Sequence, residues 1–214
     1  MKAVIFDMDG VIADTEPLHE KSRDAMLEEF GLDVATVSPR AYAKSKRAFW
    51  LETAEEFNLP YTAEELTINE FDILMEIAER SGLQPTAGLV DVLNALRSKN
   101  IKTAVASSSD RVYVEKILKI TGLEEQFDFI TCGNEVEKAK PEPFVYLKTL
   151  DKLGLAAEET IAVEDSDTGA KAAVAAGIRC VGYDAVSDEK FRQKLDLCFK
   201  KINKMKDLLQ IADK

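Results

Sequence analysis

The sequence predicts an α/β protein: a doubly wound parallel sheet with helices on both faces, interrupted after its first strand by an all-helical insertion. Three observations predict it. Apolar runs stop abruptly at polar residues after Val4-Ile5-Phe6, after Thr103 to Ala106 and after Ile161 to Val163, which is how a buried parallel strand reads. From Gly88 onward such runs alternate with helical stretches, giving βαβ units. Between residues 15 and 84 no convincing strand appears.

Taken in order, the first strand ends at Asp7, and the pattern then turns helical. Pro17 begins a run with Leu18, Ala25, Met26, Leu27 and Phe30 at helical spacing, closed by Gly31. Lys46 to Phe57 carries Phe49, Trp50, Leu51, Ala54 and Phe57. Thr62 opens a longer helix through Leu66, Phe71, Leu74 and Ile77 toward Gly82. Past Gly88, Leu89 to Lys99 turns Val92, Leu93 and Leu96 inward, Ile101 to Ala106 is a strand, and Asp110 is placed to cap a helix through Val114, Ile117 and Leu118. Phe127 to Thr131 is the next strand, and Pro143 starts a helix ending near Gly154. Thr160 to Val163 follows as a strand. Asp165 or Ser166 then caps an alanine-rich helix that stops at Gly177, and Cys180 to Tyr183 closes the alternation. Gly169, Ala172, Ala173, Ala176 and Gly177 read as close helix-to-sheet packing. The tail, with Lys200, Lys201, Lys204 and Lys206 among Ile202, Met205, Leu208 and Leu209, reads as an amphipathic surface helix.

The expected organisation is a Rossmann-like core made of residues 1–14 and 85–214, with residues 15–84 as a helical cap domain. Hinges are expected near Ala13 to Glu16 and Leu83 to Ala87. A chain of 214 residues with 46% hydrophobic content is ample for such a core. Its net charge of −11 repels polyanions, so nucleic acid and anionic membrane are not expected partners. An anionic metabolite meets the same field, and its site must supply local positive potential from a metal, a lysine or backbone N–H groups. Cys132, Cys180 and Cys198 are odd in number and far apart in sequence, so reduced core thiols are expected rather than a disulfide framework or a zinc site. Asp7 follows Met1 too closely to leave room for a signal peptide, and no stretch reaches the roughly 18 apolar residues of a membrane span. The expectation is a cytoplasmic, monomeric enzyme.

Four segments carry chemistry. Asp7 and Asp9 lie two apart in extended chain, where side chains point the same way, and Gly10 permits a sharp turn after them. Ser107 ends the second strand, Lys140 precedes Pro141, and Glu164-Asp165-Ser166 ends a later strand. Ligands of open α/β sheets bind beyond strand C-termini, so these ends are expected to converge on one crevice. Blander readings exist for some of them. Ser107-Ser108-Ser109 could be a serine loop capping the next helix, and Glu164-Asp165 could be an acidic helix start.

This ordered set, Asp7-Met8-Asp9-Gly10-Val11 with Ser107, Lys140-Pro141 and Glu164-Asp165-Ser166, resembles the haloacid dehalogenase (HAD) superfamily of phosphotransferases. It is most similar to the branch with a small helical cap, which includes phosphoglycolate phosphatase-like hydrolases and beta-phosphoglucomutase. The resemblance implies that Asp7 is the nucleophile and Asp9 the general acid and base. It implies that Ser107 hydrogen-bonds a phosphoryl oxygen, that Lys140 neutralises the nucleophile and the phosphate, and that Mg²⁺ is bound by the carboxylates of Asp7 and Asp165 and the carbonyl of Asp9, with Glu164 in support directly or through water. Elementary electrostatics agrees: two like unit charges ~4 Å apart repel by about 4 kcal/mol at an effective dielectric of ~20, and a phosphate dianion facing Asp7 multiplies this. Mg²⁺ prefers the hard oxygen donors on offer.

Specificity is expected to rest with the cap. Against beta-phosphoglucomutase, Ala43 aligns with a glycine, Lys46 with a phosphate-binding arginine beside Arg47, and Ile73 near a sugar-selecting lysine. Positive charge is kept at the first place and lost at the last. Hydrolysis of a small phosphate monoester such as a sugar phosphate is therefore the leading expectation, and a phosphosugar mutase is the alternative. A non-catalytic phosphometabolite-binding protein is a third reading. His19, Lys46, Arg47, Ser107, Ser108 and Lys140 are the candidate substrate contacts.

Overall fold

The computed structural model describes residues 1–41, 44–185, 189 and 192–212. In chain order the elements are β1 (Ala3–Phe6), α1 (Glu16–Glu29), α2 (Val34–Val37), α3 (Lys46–Phe57), α4 (Ala63–Arg80), α5 (Leu89–Ser98), β2 (Lys102–Ala106), α6 (Arg111–Ile120), β3 (Phe129–Thr131), α7 (Phe144–Leu153), β4 (Thr160–Glu164), α8 (Asp167–Ala175), β5 (Arg179–Tyr183), β6 (Lys200–Ile202) and α9 (Leu208–Ala212). The chain divides into two compact units, Met1–Asp14 with Leu83–Lys214, and Thr15–Gly82.

In the first unit the described strands form one sheet in the order β3-β2-β1-β4-β5-β6. Every pairing is parallel. Every residue of β1 and β4 is buried, as expected of strands covered on both faces. One face packs Ala3, Ile5, Ala104, Ala106, Ala162 and Cys180 against Val145, Tyr146 and Leu150 of α7 and Ala170, Ala172 and Ala173 of α8. Alanine on both sides lets helix and sheet approach closely. The chain winds outward from β1 through β2 to β3, and on the other side from β4 through β5 to β6. The strand order therefore reverses between β1 and β4, the kind of switch point where open α/β sheets hold ligands.

The second unit is helical. Its core joins Met26, Leu27, Val37, Phe49, Trp50, Ala63 and Leu66, with Phe30 and Ile73 packed against it. Asn58 ends α3 in the left-handed region at φ 51°. Thr62 and Glu65 form a capping box that starts α4. The short α2, started by Asp33 accepting from Ala35 N–H, has no counterpart in the sequence reading.

Two local expectations are corrected. The tail is not one amphipathic helix: Lys200 to Ile202 instead pairs with β5 in the register Val181↔Lys200 to Tyr183↔Ile202, and helix resumes only near Met205. The backbone groups along the edge of β5 need partners, and a lysine-bearing edge strand supplies them. Asp110 occupies the N-cap of α6 but makes no side-chain cap; the first amide, Arg111 N–H, is bound instead by Asn134 Oδ1 at 3.2 Å. Cys180 and Cys198, distant in sequence, are free thiols with their Sγ atoms 3.5 Å apart, and Cys198 is only half-buried. Phe199 N–H bonding to Cys180 O at 3.0 Å brings these segments together. No described helix is long and apolar enough to cross a membrane.

Candidate active site

Strand register decides which side chains meet. Phe6 pairs with Val105 of β2 and with Val163 of β4, so the next residue, Asp7, leaves the sheet between the ends of both neighbours. Its N–H still donates to Val163 O at 2.9 Å. Ser107 follows β2, is fully buried, and donates its N–H to Thr131 O at 3.0 Å. Glu164 is the last residue of β4, and Asp165 follows it. Lys140 arrives on the connection between β3 and α7. Its Nζ lies 2.6 Å from Asp7 Oδ1, 2.6 Å from Glu164 Oε1 and 2.9 Å from Ala106 O.

Three acceptors match the three protons of one ammonium. The Lys140 side chain is only 5% exposed and that of Glu164 is 0% exposed, so this is a buried ion network. Burial by itself would discharge the lysine, but Asp7 and Glu164 outweigh it and hold its pKa above the ordinary value. Asp7 is pushed up to about 8, first by burial and then by the Glu164 carboxylate, with Lys140 offsetting only part. Tyr146, on α7, donates to Glu164 Oε1 at 2.5 Å, and its ring lies 5.1 Å from the Lys140 Nζ. The phenol is held well above its usual pKa by burial and then by Glu164, so it remains a donor.

Negative charge thus exceeds positive charge here, and the donor set suits a hard divalent cation. Carboxylate oxygens of Asp7, Glu164 and Asp165 all lie within 4.8 Å of one another. Room for them depends on glycine at two positions. Gly10, at φ +76°, would bring a Cβ to 1.9 Å from Asp165 Oδ2, and Gly169 would bring one to 2.0 Å from Glu164 Oε2. A side chain at either position would fill the cradle.

Asp9 sits in the tight loop after β1, closed by Gly10 N–H to Ala13 O at 2.8 Å and Ile12 N–H to Met8 O at 2.9 Å. Its carboxylate accepts from Tyr113 OH at Oδ1, 2.8 Å, and from Ser109 Oγ at Oδ2, 3.2 Å. Ser107 Oγ accepts from Ser109 N–H at 3.0 Å, so the serine loop is folded on itself. Ser108 is exposed, and its carbonyl stands where a Cβ on Gly133 would come to 2.0 Å. That glycine lets the loops after β2 and β3 touch.

The structure therefore brings Asp7, Lys140, Glu164 and Asp165 into one cluster, with Asp9 and Ser107 on the adjoining strand ends. Sequence reasoning missed Tyr113, Ser109, Tyr146 and Gly133. A tyrosine on the inward face of a helix, whose hydroxyl needs a partner once buried, was the available signal for the two tyrosines. The helical unit carries the other candidates. His19 is half-buried on α1, Arg47 is exposed, and Lys46 lies 3.3 Å from Glu70 Oε1 in the first turn of α3. Glu70 is buried and also accepts from Trp50 Nε1 at 2.5 Å. Ala43 lies outside the described residues, and Ile73 packs against the helical core.

The sequence profile of haloacid dehalogenase-like hydrolases matches residues 4–183. Over 188 residues the chain is 32% identical to the phosphorylated carbohydrates phosphatase of Thermotoga maritima, covering 83% of this chain and 82% of that protein. Over 198 residues it is 29% identical to hexitol phosphatase A of Escherichia coli, covering 92% and 89%. A crystal structure of a Thermotoga maritima protein described provisionally as a beta-phosphoglucomutase shares 28% identity and superposes with a TM-score of 0.83, covering 100% of this chain and 99% of that one.

Proposed function

The chain belongs to the haloacid dehalogenase-like hydrolase family, and from that premise we propose that it is a Mg²⁺-dependent phosphatase of a small phosphorylated carbohydrate, acting through an aspartyl-phosphate. One observation carries the reading: a buried lysine shared between Asp7 and Glu164 beside Asp165, at the ends of the two central strands. A carboxylate held in this way is oriented and partly neutralised for attack on an anionic phosphate.

In the first step an Asp7 oxygen attacks phosphorus in line. The bond from phosphorus to the sugar oxygen breaks, and that oxygen takes its proton from Asp9. In the second step Asp9, now ionised, removes a proton from water as the water oxygen attacks phosphorus; inorganic phosphate departs and Asp7 is restored. Lys140 turns its protons from Asp7 toward the phosphoryl oxygens as charge moves there, and the Ser107 hydroxyl donates to one of them. Asp7, Asp165 and the Asp9 carbonyl would hold Mg²⁺, with Glu164 in support, and the ion would supply positive charge against the gathered carboxylates and phosphate. We assign specificity to the helical unit, residues 15–84, with Lys46, Arg47 and His19 as its candidate substrate contacts and Ser108 as the exposed hydroxyl of the core loop. The reading includes a monomeric, cytoplasmic enzyme.

A phosphosugar mutase of the beta-phosphoglucomutase type is the second reading, favoured by the likeness to the Thermotoga maritima structure. It differs only in that a sugar hydroxyl replaces water in the second step. The test is a phosphate-release panel of hexose and hexitol phosphates with Mg²⁺ or chelator, run beside isomerisation of beta-glucose 1-phosphate primed with the bisphosphate. We expect phosphate release that chelation abolishes, and isomerisation greatly exceeding release would make the mutase correct. Asp7→Asn should lower turnover at least about a thousandfold while Mg²⁺-dependent phosphate binding survives. A folded, fully active Asp7→Asn variant would refute the assignment.

A further inference from the structure

We infer that Tyr113 is the positioning residue of the acid–base group, anchoring Asp9 Oδ1 so that Oδ2 is the oxygen that exchanges the proton with the leaving group. The inference rests on the phosphatase reading above and deepens it.

Asp9 is half-buried on a loop, and a carboxylate there must be held if it is to meet a substrate oxygen in one geometry. The two hydroxyls on it are unequal. Tyr113 is only 3% exposed, carries a rigid ring, and reaches Oδ1 at 2.8 Å. Ser109 is a short side chain in a surface loop and reaches Oδ2 at the longer 3.2 Å. Tyr113 lies in the first turn of α6, and that turn is itself fastened. Arg111 N–H bonds to Asn134 Oδ1 at 3.2 Å, its Nε to Glu135 Oε1 at 3.0 Å and its Nη2 to Ile130 O at 2.9 Å. The helix turn that carries the phenol is therefore fastened by residues outside the proton transfer.

The chemistry suits such a role. A phenol donating to Oδ1 keeps that bond whether Oδ2 carries a proton or not, so it remains in place as Asp9 changes from acid to base. A donor on Oδ2 has to yield to the substrate oxygen. Tyr113 also satisfies its own buried hydroxyl by this bond, so a merely structural role predicts the same contact. The two roles separate in their dependence on the leaving group, because a good leaving group needs little proton donation and a poor one needs much.

The test compares kcat/KM, which reports the first chemical step, for p-nitrophenyl phosphate and phenyl phosphate in wild type, Tyr113→Phe and Ser109→Ala, with thermal unfolding of each. In Tyr113→Phe the ratio of the p-nitrophenyl to the phenyl value should rise about tenfold or more, with the melting temperature kept within a few degrees. In Ser109→Ala that ratio should move by less than about threefold. Equal losses on both substrates in Tyr113→Phe, or no loss on either, would overturn the positioning role. A selective loss in Ser109→Ala without one in Tyr113→Phe would reverse the assignment of the two oxygens and overturn it as well. If the wild type hydrolyses neither ester nor any sugar phosphate, the phosphatase reading itself fails.

Discussion

Gly169 shows how far a residue's worth depends on what stands opposite it. Inside an exposed helix, Gly→Ala gains about 1 kcal/mol from backbone entropy alone. At position 169 the added Cβ would stand 2.0 Å from Glu164 Oε2 and 2.1 Å from its carboxyl carbon. The other oxygen of that carboxylate is held by Lys140 and Tyr146, so it cannot yield without loosening both. Overpacking of this kind costs about 1–3 kcal/mol, enough to reverse the propensity gain. We expect Gly169→Ala to lower the melting temperature and to reduce turnover about tenfold, read by calorimetry and phosphate release. A variant as stable and active as wild type would contradict the close approach. The same carboxylates give Lys140 a part in stability, since its loss would leave Asp7 and Glu164 buried without a counter-charge. At this scale the strand-end residues were legible because each follows an apolar run directly. Tyr113 and Tyr146 were not, because their hydroxyls meet partners 104 and 18 residues away in sequence.

Between elements, Glu135 clasps three of them. It follows β3, accepts from Arg111 of α6 and from Lys152 of α7 at 2.9 Å, and binds Cys132 N–H at 3.3 Å. Burial alone would raise its pKa, but the hydrogen bonds from Lys152 and then Arg111 outweigh it and pull the carboxyl down to about 2. A lowered folded-state pKa adds stability that is complete above the unfolded value of 4.5 and fades as pH falls through about 2. The side chain is 21% exposed, so solvent screens part of this, and about 1–2 kcal/mol is expected. Glu135→Gln should therefore be less stable than wild type near neutrality, with the two denaturation midpoints converging as pH approaches 2. A gap that stays constant over that range would show that the charge is not what holds the clasp. Element positions were legible from periodicity nearly everywhere. The four-residue α2 and the tail were the exceptions: three residues of strand in the tail leave too short a period to read, and β6 forms only where β5 offers an edge.

Across the whole molecule, a net charge of −11 repels the substrate class proposed for it, so binding requires cations gathered locally. Lys140 is one, and the oxygens of Asp7, Glu164 and Asp165 are close enough together to hold another. A ligand that binds only the folded state stabilises it by about 2.7 kcal/mol at a hundredfold excess over its Kd. Mg²⁺ should accordingly raise the melting temperature of the wild type in a saturable way, and Asp165→Asn should blunt the rise. Equal shifts in both proteins would mark a general salt effect and remove the case for a specific seat.

Taken alone, the order of apolar runs, glycines and acidic residues determined the sheet class, the helical insertion and the four segments proposed to bear the chemistry, because strand burial and turn geometry are written in local patterns. Only the tertiary structure decided the sharing of Lys140 with Glu164, the hold of Tyr113 on Asp9, the edge strand in the tail and the approach of Cys180 to Cys198. The physical reason is common to all four. Each contact joins segments set side by side by strand order and register, and those follow from how the whole sheet is buried rather than from any neighbouring residues in the chain.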